Sequence, residues 1–182
     1  KDGFSIRHKN TFEEKYVSDI DMMLLAVDEK LDDEQLVRAV KLKTIGFLGN
    51  SKQKISSGIC TQMGIVVFDD PKNNPRNIEF IPKRMIDFIN KGDTYLSENF
   101  PNLQLPRMAG SHRLIHIHQN VPGVMAQINQ VFAQHTINIV GQFLITNPQI
   151  GYVITDINSK YDKQVLKDLK QINHTIKFRV LY

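Results

Sequence analysis

The pattern of apolar and polar positions is most regular in the last 70 residues of the chain. Leu114–His118 alternates, with Ile115 and Ile117 on one face, as in a strand that packs on a core. Pro122 and Gly123 then precede apolar residues at helical spacing: Val124, Met125, Ile128, Val131 and Phe132. The pattern predicts a strand followed directly by an amphipathic helix.

The remaining pattern predicts two strands, a helix and a strand. Thr136–Ile145 and Tyr152–Ile157 are rich in β-branched and aromatic residues, and Asn147-Pro148-Gln149 with Gly151 separates them as in a hairpin. A helix follows, for which Ser159 and Asp162 resemble a capping box. Its apolar stripe is Val165, Leu166, Leu169 and Ile172, and the last strand is Thr175–Leu181. The order β-α-β-β-α-β predicts a ferredoxin-like sandwich.

The first 93 residues are less regular and predict a partial α/β unit. Asp32 is a suitable N-cap for a helix that reaches Lys41 with Leu36 and Val40 facing inward. Short buried strands are expected at Thr44–Leu48 and Gly64–Phe68.

A second helix closes this unit. The polar stretch Asp69–Asn77 breaks the pattern, Ile78–Lys91 is helical despite Pro82, and Gly92 suits a C-cap. An extended linker over residues 94–112 follows. The predicted organisation is therefore α+β, with a partial flavodoxin-like domain at 1–93, a linker at 94–112 and a ferredoxin-like domain at 113–182.

Composition narrows the class of protein. Among the 182 residues, no stretch approaches the roughly 20 apolar residues of a membrane span, and Cys60 is the single cysteine, which favours the cytoplasm. The net charge of +4 is uneven, because residues 105–182 carry eight Lys and Arg against three Asp and Glu. Lys163, Lys167 and Lys170 lie opposite an apolar stripe and predict a solvated helix face rather than a nucleic-acid surface.

The loop from His118 to Val124 is the strongest candidate for chemistry. It places polar side chains beside the free amides of a helix N-terminus, a combination that suits a small carboxylate. The alternative is a simple strand-to-helix turn that uses Asn, Pro and Gly for its geometry. A metal site is a further hypothesis, because His112, His116 and His118 share one face of the predicted strand. However, no cysteine or carboxylate lies close by in sequence to complete a tetrahedral set of ligands. We therefore expect histidines that face solvent or an interface, and no metal.

Several segments resemble a known family. Arg113–Met125, with the sequence R-L-I-H-I-H-Q-N-V-P-G-V-M, resembles the ACT domain that ends bacterial D-3-phosphoglycerate dehydrogenases. The approach segment Asn99–Pro106 and the C-terminal Thr175–Tyr182 are similar to that family too, so that the resemblance covers residues 78–182. A looser resemblance at Leu31–Leu36 and Gly64–Phe68 is to the family's substrate (body) domain.

The resemblance implies a regulatory site. In that family, ACT domains pair side by side, and L-serine, the end product of serine biosynthesis, binds at the seam as an allosteric effector. The family's serine-binding positions correspond here to His118, Asn120, Gly123 and Val124, with Asn138 supplied by the second subunit. A homodimer or a higher oligomer is expected. The family's Gly-Gly hinge corresponds to Ala109-Gly110.

The same resemblance shows what the chain lacks. The family's NAD-binding domain opens with a glycine-rich turn, but no G-x-G-x-x-G occurs here, and the body-domain resemblance passes directly from Asn77 to Ile78. We therefore expect no cofactor and no catalytic residue in this chain. The leading hypothesis is a cytoplasmic serine-binding ACT chain that is not catalytic by itself. The alternatives are a shortened form of an active NAD-dependent dehydrogenase and a ligand-free assembly module.

Overall fold

The computed structural model describes two small units and the segment that joins them. The described residues are 4–7, 14–25, 31–48, 55–69, 79–158 and 160–181. The predicted break at Asp69–Asn77 therefore lies, apart from its first residue, outside this part of the chain. No helix within the described residues is long and apolar enough to cross a membrane.

The N-terminal unit is a parallel three-stranded sheet. Its strands, in the spatial order β1-β2-β3, are Met22–Leu25, Thr44–Phe47 and Val66–Phe68. A 3₁₀ helix precedes the sheet at Glu14–Asp19, and the crossover helices are α1 (Asp33–Arg38) and α2 (Ser57–Gln62). All four residues of β2 are buried, as expected for the central strand of a parallel sheet covered on both faces.

The predicted start of α1 is confirmed. The Asp32 carboxylate accepts a hydrogen bond from the Gln35 amide at 2.8 Å, and the Gln35 side chain accepts one from the Asp32 amide at 3.1 Å. This capping box satisfies two backbone donors that the first turn of a helix leaves unpaired. Leu36 is fully buried, also as predicted.

The predicted end of α1 is wrong. The helix stops at Arg38 instead of reaching Lys41, and Val40 is 64% exposed rather than inward-facing. Ala39 and Leu42 are fully buried in its place. After Arg38 the chain turns, with the Leu42 amide donating to the Ala39 carbonyl at 3.0 Å, and this turn accompanies the packing of Leu42 in the core.

Helix α3 (Phe80–Lys91) links the two units. Pro82 lies in its first turn, where the missing N–H group removes no intrahelical hydrogen bond. Gly92 forms the C-cap, as predicted, with a φ of +79° and an N–H that donates to the Phe88 carbonyl at 2.9 Å. A Cβ at Gly92 would collide with Ile115 of the C-terminal sheet, so the end of α3 lies directly against that sheet.

The C-terminal unit has the predicted ferredoxin-like order. Its elements are β4 (His112–Gln119), α4 (Val124–Gln134), β5 (Ile139–Thr146), β6 (Ile150–Ile157), α5 (Lys163–Lys170) and β7 (Thr175–Val180). The strands pair antiparallel in the order β5-β6-β4-β7. The predicted α+β class is confirmed.

Element boundaries differ from prediction where tertiary packing decides them. β5 begins at Ile139 rather than Thr136, because α4 continues to Gln134 and Thr136 adopts a left-handed backbone with φ +56°. α5 has Asp162 as its N-cap, and the Asp162 carboxylate accepts from the amides of Gln164 and Val165. Ser159, the other half of the predicted capping box, lies outside the described residues.

Each face of the C-terminal sheet packs on its own core. On one face, Leu114 and Val153 pack against α4 and α5. On the opposite face, a second cluster combines the sheet with α3 and with the joining segment: Ile115, Ile117, Tyr152 and Ile154 with Ile81, Met85, Phe88, Phe100 and Leu103. Strands β4 and β6 are thus covered on both faces within one chain, whereas the side chains of β5 are exposed or half-buried.

The segment predicted as an extended linker, residues 94–112, contains no helix or strand before His112, yet it is folded against both units. Asn99 accepts a hydrogen bond from the Val67 amide at 2.8 Å and donates one to the Ile65 carbonyl at 2.9 Å. Phe100 and Leu103 are buried. The division at 93 and 112 into separate domains stays a prediction.

Candidate functional site

Strand β4 brings two histidines to the face that α4 and α5 cover. His116 is 3% exposed and His118 is 2% exposed, so our expectation of solvent-facing or interface histidines is wrong for both. His112, at the start of the strand, is half-buried, and its ring meets the edge of Tyr161 at a centroid distance of 5.1 Å. Within the described residues, no group of three or more His, Cys, Asp and Glu side chains is placed to hold a metal ion.

The His118 imidazole uses one of its two nitrogens. Its Nδ1 lies 2.7 Å from the carbonyl oxygen of Gln119, whereas its buried Nε2 has no hydrogen-bond partner in the described part of the chain. The ring lies over Gly151 of β6, where any Cβ would collide with it. A glycine at position 151 is therefore what leaves room for this ring.

His116 packs behind His118 on the same strand. The two ring centroids are 6.2 Å apart, and the His116 Nε2 lies 2.7 Å from the Thr175 hydroxyl of β7. Burial, followed by the neighbouring His118, lowers the pKa of His116 from near 6.5 to about 4. Burial also lowers the pKa of His118, although the bond to the Gln119 carbonyl opposes this shift. Both rings are therefore neutral at pH 7.

Asn120 joins the end of β4 to the β5–β6 hairpin. Its side-chain amide donates to the Asn147 carbonyl at 2.8 Å, and its backbone amide donates to the Gln149 carbonyl at 3.0 Å. Asn147 in turn accepts from the amides of Gln149 and Ile150, both at 2.9 Å. The hairpin therefore fixes the loop in which the exposed Asn120 lies.

Helix α4 begins beside this loop without a side-chain cap. Gly123 is the N-cap residue, with a φ of +90° that favours glycine, and Val124 is buried against the sheet. The first amides of a helix lack intrahelical acceptors and carry partial positive charge. This helix end is suited to an anionic group such as a carboxylate.

The remaining predicted position, Asn138, lies at the other end of the sheet. It immediately precedes β5, whose first residue Ile139 pairs with Ile157, and Ile157 pairs with His112. Four of the five predicted site residues therefore meet within one chain, and Asn138 does not join them there.

The predicted hinge forms an exposed turn. Ala109 and Gly110 are both exposed, and Gly110 has a φ of +74°. The segment before the turn is tied to β4, because the Arg113 guanidinium donates to the carbonyls of Leu105 at 3.1 Å and Pro106 at 2.7 Å. The hinge role of these two residues stays a prediction.

Sequence reasoning missed three residues that shape the site. Gly151 makes room for His118, Asn147 holds Asn120, and Thr175 pairs with His116. The signal for Gly151 was present, since a glycine in a strand marks a bulge or the close approach of another group. Gly151 therefore has a role beyond the hairpin, since it also makes room for the His118 ring.

Comparison with known proteins shows what the C-terminal unit is similar to. Residues 114–177 match the model of the AHAS small subunit-like ACT domain. The chain is 41% identical over 107 residues to D-3-phosphoglycerate dehydrogenase of Haemophilus influenzae, covering 58% of this chain and 26% of the relative. It is also 41% identical over 101 residues to D-3-phosphoglycerate dehydrogenase of Escherichia coli, covering 54% of this chain and 24% of the relative.

A solved structure described as a novel type of quorum quenching acylase, GqqA, has a TM-score of 0.33 at 13% identity and covers 47% of both chains, which is too low to support any inference. The chain spans about a quarter of the length of its dehydrogenase relatives. It contains an ACT domain at residues 114–177 and, over more than half of its length, is similar to D-3-phosphoglycerate dehydrogenases.

Proposed function

We propose that the ACT domain binds a small amino acid as a regulatory effector, with L-serine as the candidate. The proposal rests on one observation: His118, Asn120 and the uncapped N-terminus of α4 lie together at one end of the sheet. A carboxylate at such a helix end gains about 0.3–1 kcal/mol, and the two side chains offer polar groups for the rest of an amino acid.

A second copy of the chain is the proposed partner at the β5 edge. The other edge strand, β7, is covered within the chain, because Lys177 donates to the Leu42 carbonyl at 2.7 Å and packs against Gly64. β5 pairs only with β6 in the described residues, and its exposed apolar side chains are Val140, Phe143 and Leu144. An open apolar edge of this kind favours pairing with another strand.

Pairing of two β5 edges would complete the site. β5 and β4 run in the same direction, since both are antiparallel to β6. Antiparallel pairing of two copies would therefore bring Asn138 of the second copy toward the end of the sheet where Asn120 lies. This geometry supports an effector site shared between two copies, which would couple ligand binding to assembly.

L-serine is expected to bind the chain saturably in isothermal titration calorimetry. The variant Asn120→Ala should weaken binding about ten- to a hundredfold, because a hydrogen bond to a charged ligand group contributes about 1.5–3 kcal/mol. Asn129→Ala, an exposed asparagine further along α4, is the matched control and should bind normally. Absence of heat and of a thermal shift at millimolar L-serine would remove the effector hypothesis.

Sedimentation velocity tests the proposed dimer. Phe143→Lys places a charge on the apolar edge and should shift the chain from dimer to monomer at micromolar concentration. Val37→Lys, on a comparably exposed apolar residue of α1, should leave the dimer intact. Equal behaviour of the two variants would place any association elsewhere on the molecule.

A second candidate function follows from the relatives' name. Similarity to D-3-phosphoglycerate dehydrogenases favours a role as part of such an enzyme, in which residues other than those described here would bind NAD. A turnover assay with D-3-phosphoglycerate and NAD separates this candidate from a regulatory chain that acts without catalysis.

A further inference from the structure

Strand β7 presents two cationic side chains to the N-terminal unit. Lys177 pairs with Ile117 of β4, and Arg179 pairs with Ile115, so both side chains lie on the sheet face that α4 and α5 do not cover. On this face the sheet packs against α3 and the N-terminal unit. The two cations therefore lie in the β7 seam, the contact of β7 with α3 and with residues 42–44.

The Arg179 guanidinium is buried with part of its donors unused. The residue is 9% exposed, its Cζ atom lies 4.7 Å from the Phe88 ring centroid, and its Nη2 donates to the Ile89 carbonyl at 3.0 Å. Its buried Nη1 has no hydrogen-bond partner in the described part of the chain. Arginine stays protonated in proteins, and a buried cation is costly unless an anion pairs with it. The Nη1 donors are therefore available to an anion.

Lys177 lies half-buried beside Arg179. Its ammonium donates to the Leu42 carbonyl at 2.7 Å, which uses one of its three N–H donors. Burial, followed by the charges of Arg179 and Lys43, lowers the pKa of Lys177 to about 8. Within the described residues, neither Lys177 nor Arg179 forms an ion pair with a carboxylate. Three cations that repel one another thus meet in the seam.

One exposed carboxylate lies at the solvent side of these cations. Asp21 accepts a hydrogen bond from the Lys43 ammonium at 2.5 Å, and its side chain is 62% exposed. Its charge also acts on Arg179, where it opposes the lowering of the pKa by burial. Lys43, Lys177 and Arg179 together with Asp21 carry a net charge of +2. The seam therefore has an excess of positive charge.

A neutral donor lies on the same side of β2. Thr44 is fully buried, and its hydroxyl has no hydrogen-bond partner in the described residues. The side chain of Thr44 shares a strand face with Gly46, where a Cβ would collide with Met85 of α3. Phe88, the ring on which Arg179 stacks, belongs to the same helix. The unsatisfied hydroxyl and the unsatisfied guanidinium thus both lie where α3 covers the sheets.

We propose that the β7 seam binds a phosphate group, with Arg179 and Thr44 as its buried donors and with Lys177 and Lys43 as flanking cations. A phosphate dianion balances the net charge of +2, and its oxygens accept from a guanidinium and from a hydroxyl. The path from solvent passes Lys43, whose side chain is 31% exposed. Bound phosphate would join β7 to the start of β2 and so hold the two units together. This inference does not depend on the proposed effector function.

Isothermal titration of the full chain with inorganic phosphate at low ionic strength tests the site. Saturable binding of one phosphate per chain is expected. Lys177→Gln should weaken it about tenfold or more, because hydrogen bonds to charged groups are the strong ones. Lys170→Gln, on the exposed face of α5, is the matched control and should bind as the unchanged protein does. Absence of saturable binding, or equal affinity of all three proteins, would overturn the proposal.

Asp21→Asn should change the affinity in the opposite direction. It removes the carboxylate that competes with phosphate for Lys43, so binding should tighten about two- to fivefold. Asp19→Asn removes a comparably exposed carboxylate that pairs with Lys41 at 2.7 Å, and it should leave the affinity unchanged. Both variants have the same net charge and alter only exposed groups. Equal tightening in the two variants would indicate a general charge effect and would overturn the assignment to the seam.

Amide NMR locates the bound phosphate. Residues 42–44 and the amides of β7 should shift during the titration. The amides of α5, which carries the exposed Lys163, Lys167 and Lys170, should not shift. Shifts confined to α5 would place the anion on these surface lysines and would overturn the proposal.

The pH dependence of anion binding tests the role of the Lys177 ammonium. Sulfate is the suitable probe, because it keeps its double charge between pH 7 and pH 9. Its affinity should fall about tenfold over this range, since Lys177 loses its proton near pH 8 in the free protein. The charged groups that act on Lys177 are Arg179 and Lys43, and both remain cationic here. Constant affinity from pH 7 to pH 9 would contradict the role assigned to Lys177.

Discussion

Arg113→Ala is expected to lower the free energy of unfolding by about 3–5 kcal/mol, because it removes one partner of a buried ion pair. Arg113 is fully buried, and its Nε and Nη2 atoms donate to the two carboxylate oxygens of Asp156 at 2.8 and 2.7 Å. Asp156 is 3% exposed, so the variant would leave its carboxylate in the protein interior without its cation. Urea denaturation followed by circular dichroism measures the loss.

The same variant should also release the joining segment. Arg113 donates to the carbonyls of Lys91 at 3.0 Å, Leu105 at 3.1 Å and Pro106 at 2.7 Å, which connects the end of α3 and the segment to β4. Hydrogen exchange of residues 105–111 is therefore expected to accelerate in Arg113→Ala, because the backbone there loses its anchor.

Two control variants show whether the loss of stability comes from the burial of the ion pair or simply from the removal of a positive charge. Arg38→Ala removes an exposed arginine 3.8 Å from Glu34 and should cost less than about 1 kcal/mol. The double variant Arg113→Met with Asp156→Leu removes both buried charges and should be more stable than Arg113→Ala. If Arg113→Ala lowered the free energy of unfolding no more than Arg38→Ala does, the buried ion pair would not contribute substantially to the stability of the sheet.

Acidification from pH 7 to pH 4 is expected to lower the free energy of unfolding by about 3 kcal/mol through His116 alone, at about 1.4 kcal/mol per pH unit. The pKa of His116 is near 6.5 in the unfolded chain and about 4 in the folded chain. Between these values the unfolded state binds more protons, so stability falls as the pH falls. The lowered pKa of His118 acts in the same direction.

The variant His116→Gln isolates this contribution, because glutamine is polar and does not titrate. The groups that face His116 are His118, Phe178 and the Thr175 hydroxyl, and none of them is a carboxylate that would stabilise the imidazolium. Urea denaturation of both proteins at pH 7 and pH 4 should show a smaller loss in the variant, by about 3 kcal/mol. An equal loss in both would show that other groups cause the acid sensitivity.

Both predictions concern groups that a sequence pattern does not identify as important. In the sequence, Arg113 is a single charged residue within a predicted strand, and its ion-pair partner Asp156 lies 43 residues further along the chain. Likewise, His116 and His118 suggested solvent exposure because histidine is polar, yet two helices cover their face. Burial of a polar side chain depends on what packs over it, and that is a property of distant segments.

The sequence by itself determined the order of elements in the C-terminal unit, the caps at Asp32 and Gly92, and the loop that gathers His118 with the start of α4. These features depend on local periodicity and on residues a few positions apart, which act in any context. Only the tertiary structure decided that α1 ends at Arg38, that His118 requires Gly151, and that Asn138 lies at the far end of the sheet. Those outcomes depend on strand pairing and core packing between segments far apart in the chain, for which a single sequence carries no local signal.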